Sequence, residues 1–214
     1  MSATYLMQTE LLDDESLFWD RYHTQPLARQ KKIDQLIFKK DKKLSLAAGL
    51  VFQAGLADYG LGKQQITISC HEDGKPYICE YPELFFSISH SENLAICSFS
   101  SREIGVDVEK RVPIDLEIAR QFFYGAEYQD IIASDYPLNT FFDYWVLKES
   151  YMKATGMGFK LSLDAFRIVL EDEIRVYVDD ILMPYGFYNT TVFENYKLAI
   201  CTKGGLPEPE LHVL

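Results

Sequence analysis

The chain has 214 residues (24.7 kDa) and is 48% hydrophobic, enough for one globular unit or two small, closely packed ones to bury a substantial core. Acidic residues outnumber basic ones 32 to 21, and a formal charge of −11 with a pI near 4.8 excludes diffuse attraction to DNA, RNA or anionic lipid while leaving room for a local basic patch. No apolar run approaches bilayer length, no basic segment leads into one, and Cys70, Cys79, Cys97 and Cys201 lack metal or CxxC spacing. The expectation is a cytoplasmic protein with four free thiols and with neither a membrane nor a nucleic acid as partner.

A short apolar stretch at Tyr5–Met7 comes first, and Asp13, Asp14 and Glu15 before Leu17–Trp19 mark an acidic helix start. Pro26 opens the next helix. Between Arg29 and Lys43 stand seven of the chain's 21 basic residues, with only Asp34 and Asp41 against them. Leu44, Ala47, Ala48, Val51 and Leu56 then follow helical spacing and predict a core helix ending by Gly60. Ile66–Cys70 reads as a strand and HEDGKP as a turn built on Gly74 and Pro76. Three short apolar pieces, Phe85–Ile88, Leu94–Phe99 and Ile104–Val108, fit a meander or mixed sheet better than helices. Leu116–Phe123 and Glu127–Ile132 read as helices, and a long helix runs from near Asn139 to Thr155, where glycines stop it. Ala165–Leu170, Ile174–Val178 and Tyr196–Cys201 read as strands, and the tail GGLPEPELHVL as irregular or a surface arm. Helices followed by strands occur once before about Ser101 and once after it, which divides the chain into 1–101 and 102–214 and makes the cleft between them the default ligand site.

Chemistry concentrates in the second and third quarters. Asp107 and Glu109 alternate along a strand and share a face. Glu149 and Lys153 lie four apart on the long helix and project from one side. If that helix crosses the strand, three carboxylates converge beside one ammonium, and such a cluster is costly unless a cation neutralises it. Oxygen-only ligation suits Mg²⁺. Each piece alone has a plainer reading: a solvated strand face, a helix pair contributing about 0.2–0.5 kcal/mol, a turn histidine at His90, a solvated lysine at Lys75 and a solvated basic helix at residues 31–43.

Taken together, GKP at 74–76, FSISHS at 86–91, IGVDVE at 104–109 and WVLKESYMKATGMG at 145–158 resemble the signature of the Sfp-type 4'-phosphopantetheinyl transferases, spread over about 85 residues. The resemblance implies an α/β (α+β) fold of two similar subdomains related by a pseudo-twofold axis, working as a monomer. It assigns Asp107, Glu109 and Glu149 to Mg²⁺, Glu149 also as general base, and Lys153 to the pyrophosphate of coenzyme A, with Lys148 as phosphate contact or support. Ser89 and His90 match phosphate contacts, and Gly74, Lys75 and Pro76 match the loop beside adenine and ribose. Lys31 is the best match for the 3'-phosphate, with Arg29 and Lys32 as looser ones. One departure stands out: relatives place an arginine before the Ser/Thr of an RSLA-like stretch, whereas this chain has Leu44 before Ser45. Ser45 keeps its hydroxyl, and Lys42 or Lys43 is then expected to supply the cation.

The implied reaction moves 4'-phosphopantetheine from coenzyme A to a serine of an acyl or peptidyl carrier protein and releases adenosine 3',5'-bisphosphate. Length and type favour the broad-specificity class of secondary metabolism, including nonribosomal peptide synthesis. Because the chain is acidic, carrier docking is expected to use local basic groups with exposed aromatic ones, from Phe122–Tyr128 or Phe141–Tyr144. Two alternatives use the same residues: a Mg²⁺-dependent hydrolase of the coenzyme A pyrophosphate, and a non-catalytic module that binds coenzyme A or a carrier.

Overall fold

The computed structural model describes residues 2–158, 161–205 and 209–214. The chain opens with β1 (Ser2–Gln8) and a 3-10 turn, followed by α1 (Glu15–His23), α2 (Leu27–Gln35) and α3 (Lys39–Asp58). The side chain of Asp14 caps α1 by accepting from the Leu17 amide at 2.9 Å, and Pro26 sits at the start of α2, both as the sequence predicts. A hairpin, β2 (Ile68–Cys70) and β3 (Pro76–Ile78), turns through Gly74 at φ +89°, a value that glycine adopts without strain. Then come β4 (Phe85–Ser91), β5 (Leu94–Ser100) and β6 (Ile104–Lys110).

The second part, which opens with β6, repeats the order of the first: a strand, then helices, then strands. Helices α4 (Glu117–Phe122), α5 (Gly125–Ala133) and α6 (Pro137–Thr155) lead to β7 (Arg167–Val169), β8 (Arg175–Val178), β9 (Ile181–Leu182), β10 (Tyr185–Val192), β11 (Tyr196–Lys203) and β12 (Glu210–Val213). Gly156 ends α6 in the left-handed region at φ +73°. The tail differs from the expectation of an irregular arm. Residues 206–208 lie outside the described residues, but Glu210–Val213 pairs in parallel with β1, and His212 stacks on Tyr5 at 5.0 Å. Four residues of modest β propensity carry little signal; the free edge of β1 supplies their order.

One sheet runs β12-β1-β5-β4 and another β10-β11-β6, with β2-β3 and β7-β8-β9 as smaller ones. Every residue of β5 is buried, because its two faces serve two cores. Ala95, Cys97 and Phe99 pack with α3 and the first helices, whereas Leu94 and Ile96 meet Leu6, Ile104, Val106, Val108, Leu198 and Ile200. That alternation places α3 on one outer side and leaves a shared apolar layer between β5 and the β6–β11 pair. On the far side of β6, α6 lies so close that a Cβ on Gly105 would stand 2.0 Å from the Ser150 carbonyl oxygen. Glycine here is a packing requirement, and it fixes the height of α6 over β6.

Candidate active site

Strand β6 sorts its side chains by parity. Ile104, Val106 and Val108 enter the shared core, so Asp107 and Glu109 stand on the α6 side, as their spacing predicts. Helix α6 contributes one face with a step of four: Trp145, Glu149 and Lys153 all line the same cleft. Trp145 was not singled out in the sequence, although the same i, i+4 rule that pairs Glu149 with Lys153 places it there.

The cleft encloses about 870 Å³ and draws its walls from both parts of the chain. Asp107, Glu109, Glu149 and Lys153 occupy it together with Ser89, His90, Pro76, Ser45, Arg29 and Lys32. Apolar groups, among them Phe52, Phe86 and Ile88, complete the wall. Lys31, Gly74 and Lys75 do not line it. The Lys75 ammonium instead donates to the Ala154 carbonyl at the end of α6. Lys43 pairs with Asp13 and Lys40 with Glu92, and Lys42 is not a lining residue, so the replacement for the missing arginine expected from Lys42 or Lys43 is not found. The cations that reach the cleft on this side are Arg29 and Lys32, from α2, while Leu44 forms part of the wall. Burial pulls the Arg29 guanidinium below its ordinary value, so this is a cation held at a cost.

Around the carboxylates the hydrogen bonds are specific. The Lys153 ammonium reaches Asp107 Oδ1 at 2.6 Å and Ser89 Oγ at 2.9 Å, and Ser89 donates to the same Oδ1 at 2.8 Å. Ser91 donates to Glu109 Oε2 at 2.6 Å. Asp107 is 3% exposed, and its Oδ2 is buried with no hydrogen-bond partner among the described residues. Desolvation pushes the Asp107 carboxyl above its ordinary range against the pull of Lys153. Desolvation also raises Glu109, with Asp107 and Glu149 adding repulsion, and raises Glu149, with Asp107 adding to it. The three carboxylates thus share one cleft, but they do not draw together into a closed set. Among the described residues no group of three or more His, Cys, Asp or Glu side chains is placed to enclose a metal ion. Lys153 and Ser91 instead take up one oxygen each of Asp107 and Glu109.

Lys148 points the other way. It is fully buried, and its three N–H bonds go to Glu127 at 2.8 Å and to the carbonyls of Leu163 at 2.7 Å and Phe166 at 2.9 Å. Of the two roles open to it, support is the one it fills. His90 borders the cleft, and desolvation lowers its pKa, with Lys153 and Lys32 adding to the effect. An orphan donor faces the cleft from the basic side as well: Ser45 Oγ is buried without a partner among the described residues.

Comparison with known proteins matches this geometry to a chemistry. A sequence profile described as the ACPS 4'-phosphopantetheinyl transferase superfamily matches residues 103–201. The 4'-phosphopantetheinyl transferase Sfp of Bacillus subtilis strain 168 is 36% identical over 178 residues, covering 81% of this chain and 80% of that protein. The chain belongs to the Sfp-type 4'-phosphopantetheinyl transferase family. More distant relatives include the transferase gsp of Aneurinibacillus migulanus, 30% identical over 81% of this chain and 74% of its own length. Another is the L-aminoadipate-semialdehyde dehydrogenase-phosphopantetheinyl transferase of Xenopus laevis, 27% identical over 82% and 67%. This member of the family is accordingly an enzyme that transfers phosphopantetheine from coenzyme A to a serine of a carrier protein, in an α+β fold. The hydrolase and the non-catalytic module are set aside by that membership. Among the described residues no helix is long and apolar enough to cross a membrane.

Proposed function

We propose that the transfer is Mg²⁺-dependent and centred on Asp107, Glu109 and Glu149, in a cytoplasmic monomer serving carriers of secondary metabolism such as those of nonribosomal peptide synthesis. The observation that carries the reading is Asp107 Oδ2, a buried carboxylate oxygen with no hydrogen-bond partner among the described residues, on the wall of a cleft that also holds Glu109 and Glu149. An all-oxygen donor set of this kind fits a hard divalent cation that completes its shell with water and phosphate oxygens. When bound, Mg²⁺ supplies positive charge to the pyrophosphate as its anhydride bond breaks.

The chain's own residues do the rest. Arg29, Lys32 and the orphan Ser45 hydroxyl form a basic end that suits the 3'-phosphate, with Pro76, Phe52 and Phe86 offering apolar contact to the adenosine. Ser89 and His90 line the same cleft: His90 is offered to a phosphate oxygen, while Ser89, whose one proton goes to Asp107 Oδ1, holds the Lys153 ammonium beside it. The carrier serine oxygen bonds to the β-phosphorus while the P–O bond to the adenosine 3',5'-bisphosphate breaks, and Lys153 stabilises the charge gathering on that leaving group. Glu149, which lines the cleft without a hydrogen bond among the described residues, is the base for the serine proton. Both parts of the chain, 1–101 and 102–214, supply cleft residues, which supports two subdomains in one self-sufficient copy and, with their shared order of a strand, then helices, then strands, a pseudo-twofold relation.

Mass spectrometry of apo carrier proteins incubated with coenzyme A tests the reading. A phosphopantetheine adduct is expected with Mg²⁺, lost with EDTA and restored by added Mg²⁺, and fastest on peptidyl carriers. Undiminished transfer in EDTA contradicts the metal assignment. A strict preference for the carrier of fatty-acid synthesis contradicts the pathway assignment.

A further inference from the structure

Strands β4 and β6 lie side by side at the junction of the two large sheets, yet no backbone ladder joins them among the described residues. Side-chain hydroxyls join them instead. Ser87, Ser89 and Ser91 alternate along β4 and so share one face, and each meets β6. Ser87 Oγ accepts from the Val106 amide at 3.0 Å, Ser89 Oγ donates to Asp107 at 2.8 Å, and Ser91 Oγ both accepts from the Lys110 amide at 3.2 Å and donates to Glu109 at 2.6 Å. A hydroxyl has one proton, and an amide N–H or an ammonium can only donate. The Lys110 amide therefore fixes Ser91 as its acceptor and turns the serine's single proton onto Glu109 Oε2. The Lys153 ammonium does the same to Ser89, whose proton goes to Asp107 Oδ1. Each carboxylate is held by one oxygen only. Among the described residues Asp107 Oδ2 has no partner, and Glu109 Oε1 accepts no hydrogen bond.

We propose that this row of serines is a seam that replaces the missing ladder, and that Ser91 is a positioning residue: it clamps one oxygen of Glu109 so that the other is presented to the divalent cation. The inference rests on the reading of Asp107, Glu109 and Glu149 as cation ligands and adds a residue that never touches the cation. Ser87 is the internal control, since it bonds to β6 through the backbone and, among the described residues, reaches no carboxylate.

The test is Mn²⁺ binding by electron paramagnetic resonance, with coenzyme A present and no carrier, on the wild type and on Ser87→Ala, Ser91→Ala and Ser91→Thr. The Mg²⁺ concentration for half-maximal transfer is measured in parallel. Ser91→Ala is expected to weaken Mn²⁺ binding about 10-fold or more, the range found when a partner of a metal ligand is removed. It should raise the half-maximal Mg²⁺ by a similar factor, with turnover at saturating Mg²⁺ largely recovered. Ser91→Thr, which keeps the hydroxyl, should restore binding, and Ser87→Ala should lower the melting temperature while leaving the metal dependence at the wild-type value. Equal shifts in Ser87→Ala and Ser91→Ala, no shift in Ser91→Ala, or no rescue by threonine would overturn the positioning role. Failure of the wild type to bind Mn²⁺ would instead sink the metal reading and this inference with it.

Discussion

Lys153 holds Asp107 and Ser89 at once from one turn beyond Glu149 on α6, and the proposed mechanism sets it against the leaving phosphate. Replacing Lys153 by alanine removes a cation from the transition state and strips Asp107 of its counter-charge, so kcat is expected to fall about 10²–10³-fold, the loss typical of one preorganised charge-stabilising donor. Transfer within 3-fold of the wild type would contradict that role. For Glu149→Gln the expected loss is about 10²–10⁴-fold, the range of a general base, whereas near-normal turnover would move the proton transfer to Glu109 or water. At this scale the sequence was informative wherever spacing decides direction. The period of two placed Asp107 beside Glu109 and the step of four placed Glu149 above Lys153, and the structure has both pairs in the cleft. It was uninformative where contacts come from distant segments. Nothing local shows that Lys43 is spent on Asp13, that Lys75 serves the end of α6, or that Lys148 turns inward to a glutamate 21 residues away.

The position of α6 over β6 is the structural condition for that chemistry, and two features set it. Gly105 lets the helix descend onto the strand; Gly105→Ala would set a methyl 2.0 Å from the Ser150 carbonyl oxygen and 2.3 Å from the Ala154 amide. Lifting the helix to make room is expected to cost about 1–3 kcal/mol in urea unfolding and to lower kcat, because Glu149 and Lys153 move with it. Loss of stability with unchanged kcat would show that the catalytic face does not depend on this contact. The second feature is the Glu127–Lys148 pair, in which the carboxylate also accepts from the Tyr124 and Ile168 amides at 3.0 and 2.7 Å. All of its partners donate, which requires an ionised glutamate despite a burial that pushes its pKa up. Lys148→Met is expected to cost about 3–5 kcal/mol by leaving that charge alone, and the double variant with Glu127→Leu to recover much of it. A single variant as stable as the wild type would contradict the account. The long helices and the β4–β6 segments were legible because each carries its own hydrophobic period. Strand β10 and the tail strand β12 were not, since both take their order from a neighbouring edge, β11 and β1 respectively.

Across the whole molecule, a charge of −11 coexists with a basic run whose members are partly neutralised, Lys40 by Glu92 and Lys43 by Asp13. The net charge therefore offers no long-range attraction to a carrier that is itself acidic, and the apparent KM for such a carrier should change only modestly between low and physiological salt; a steep rise would contradict this. Of the two docking segments expected from sequence, Phe141–Tyr144 fails, because Phe141, Phe142 and Tyr144 are buried on the inner face of α6. Phe122 and Tyr124 remain exposed. Composition alone does not tell an aromatic cluster on the surface from one in the core. The β10-β11-β6 sheet also has a pH signature at one end, where Glu103, just before β6, meets Lys203 and Tyr185, each at 3.0 Å. Partial burial raises the Glu103 carboxyl, but these two partners outweigh it and hold it below the ordinary range. A depressed pKa gives stability that is full above the ordinary glutamate value and lost as pH falls through the folded one. Glu103→Gln should flatten the acid side of the stability profile, and an unchanged slope would count against the contact.

The central claim, that β6 and α6 share one divalent cation, is tested most directly by anomalous diffraction from crystals grown with coenzyme A and Mn²⁺. The account predicts one strong peak bounded by Asp107 Oδ2, Glu109 and Glu149. A peak elsewhere, or one without Glu149 in its shell, would contradict it.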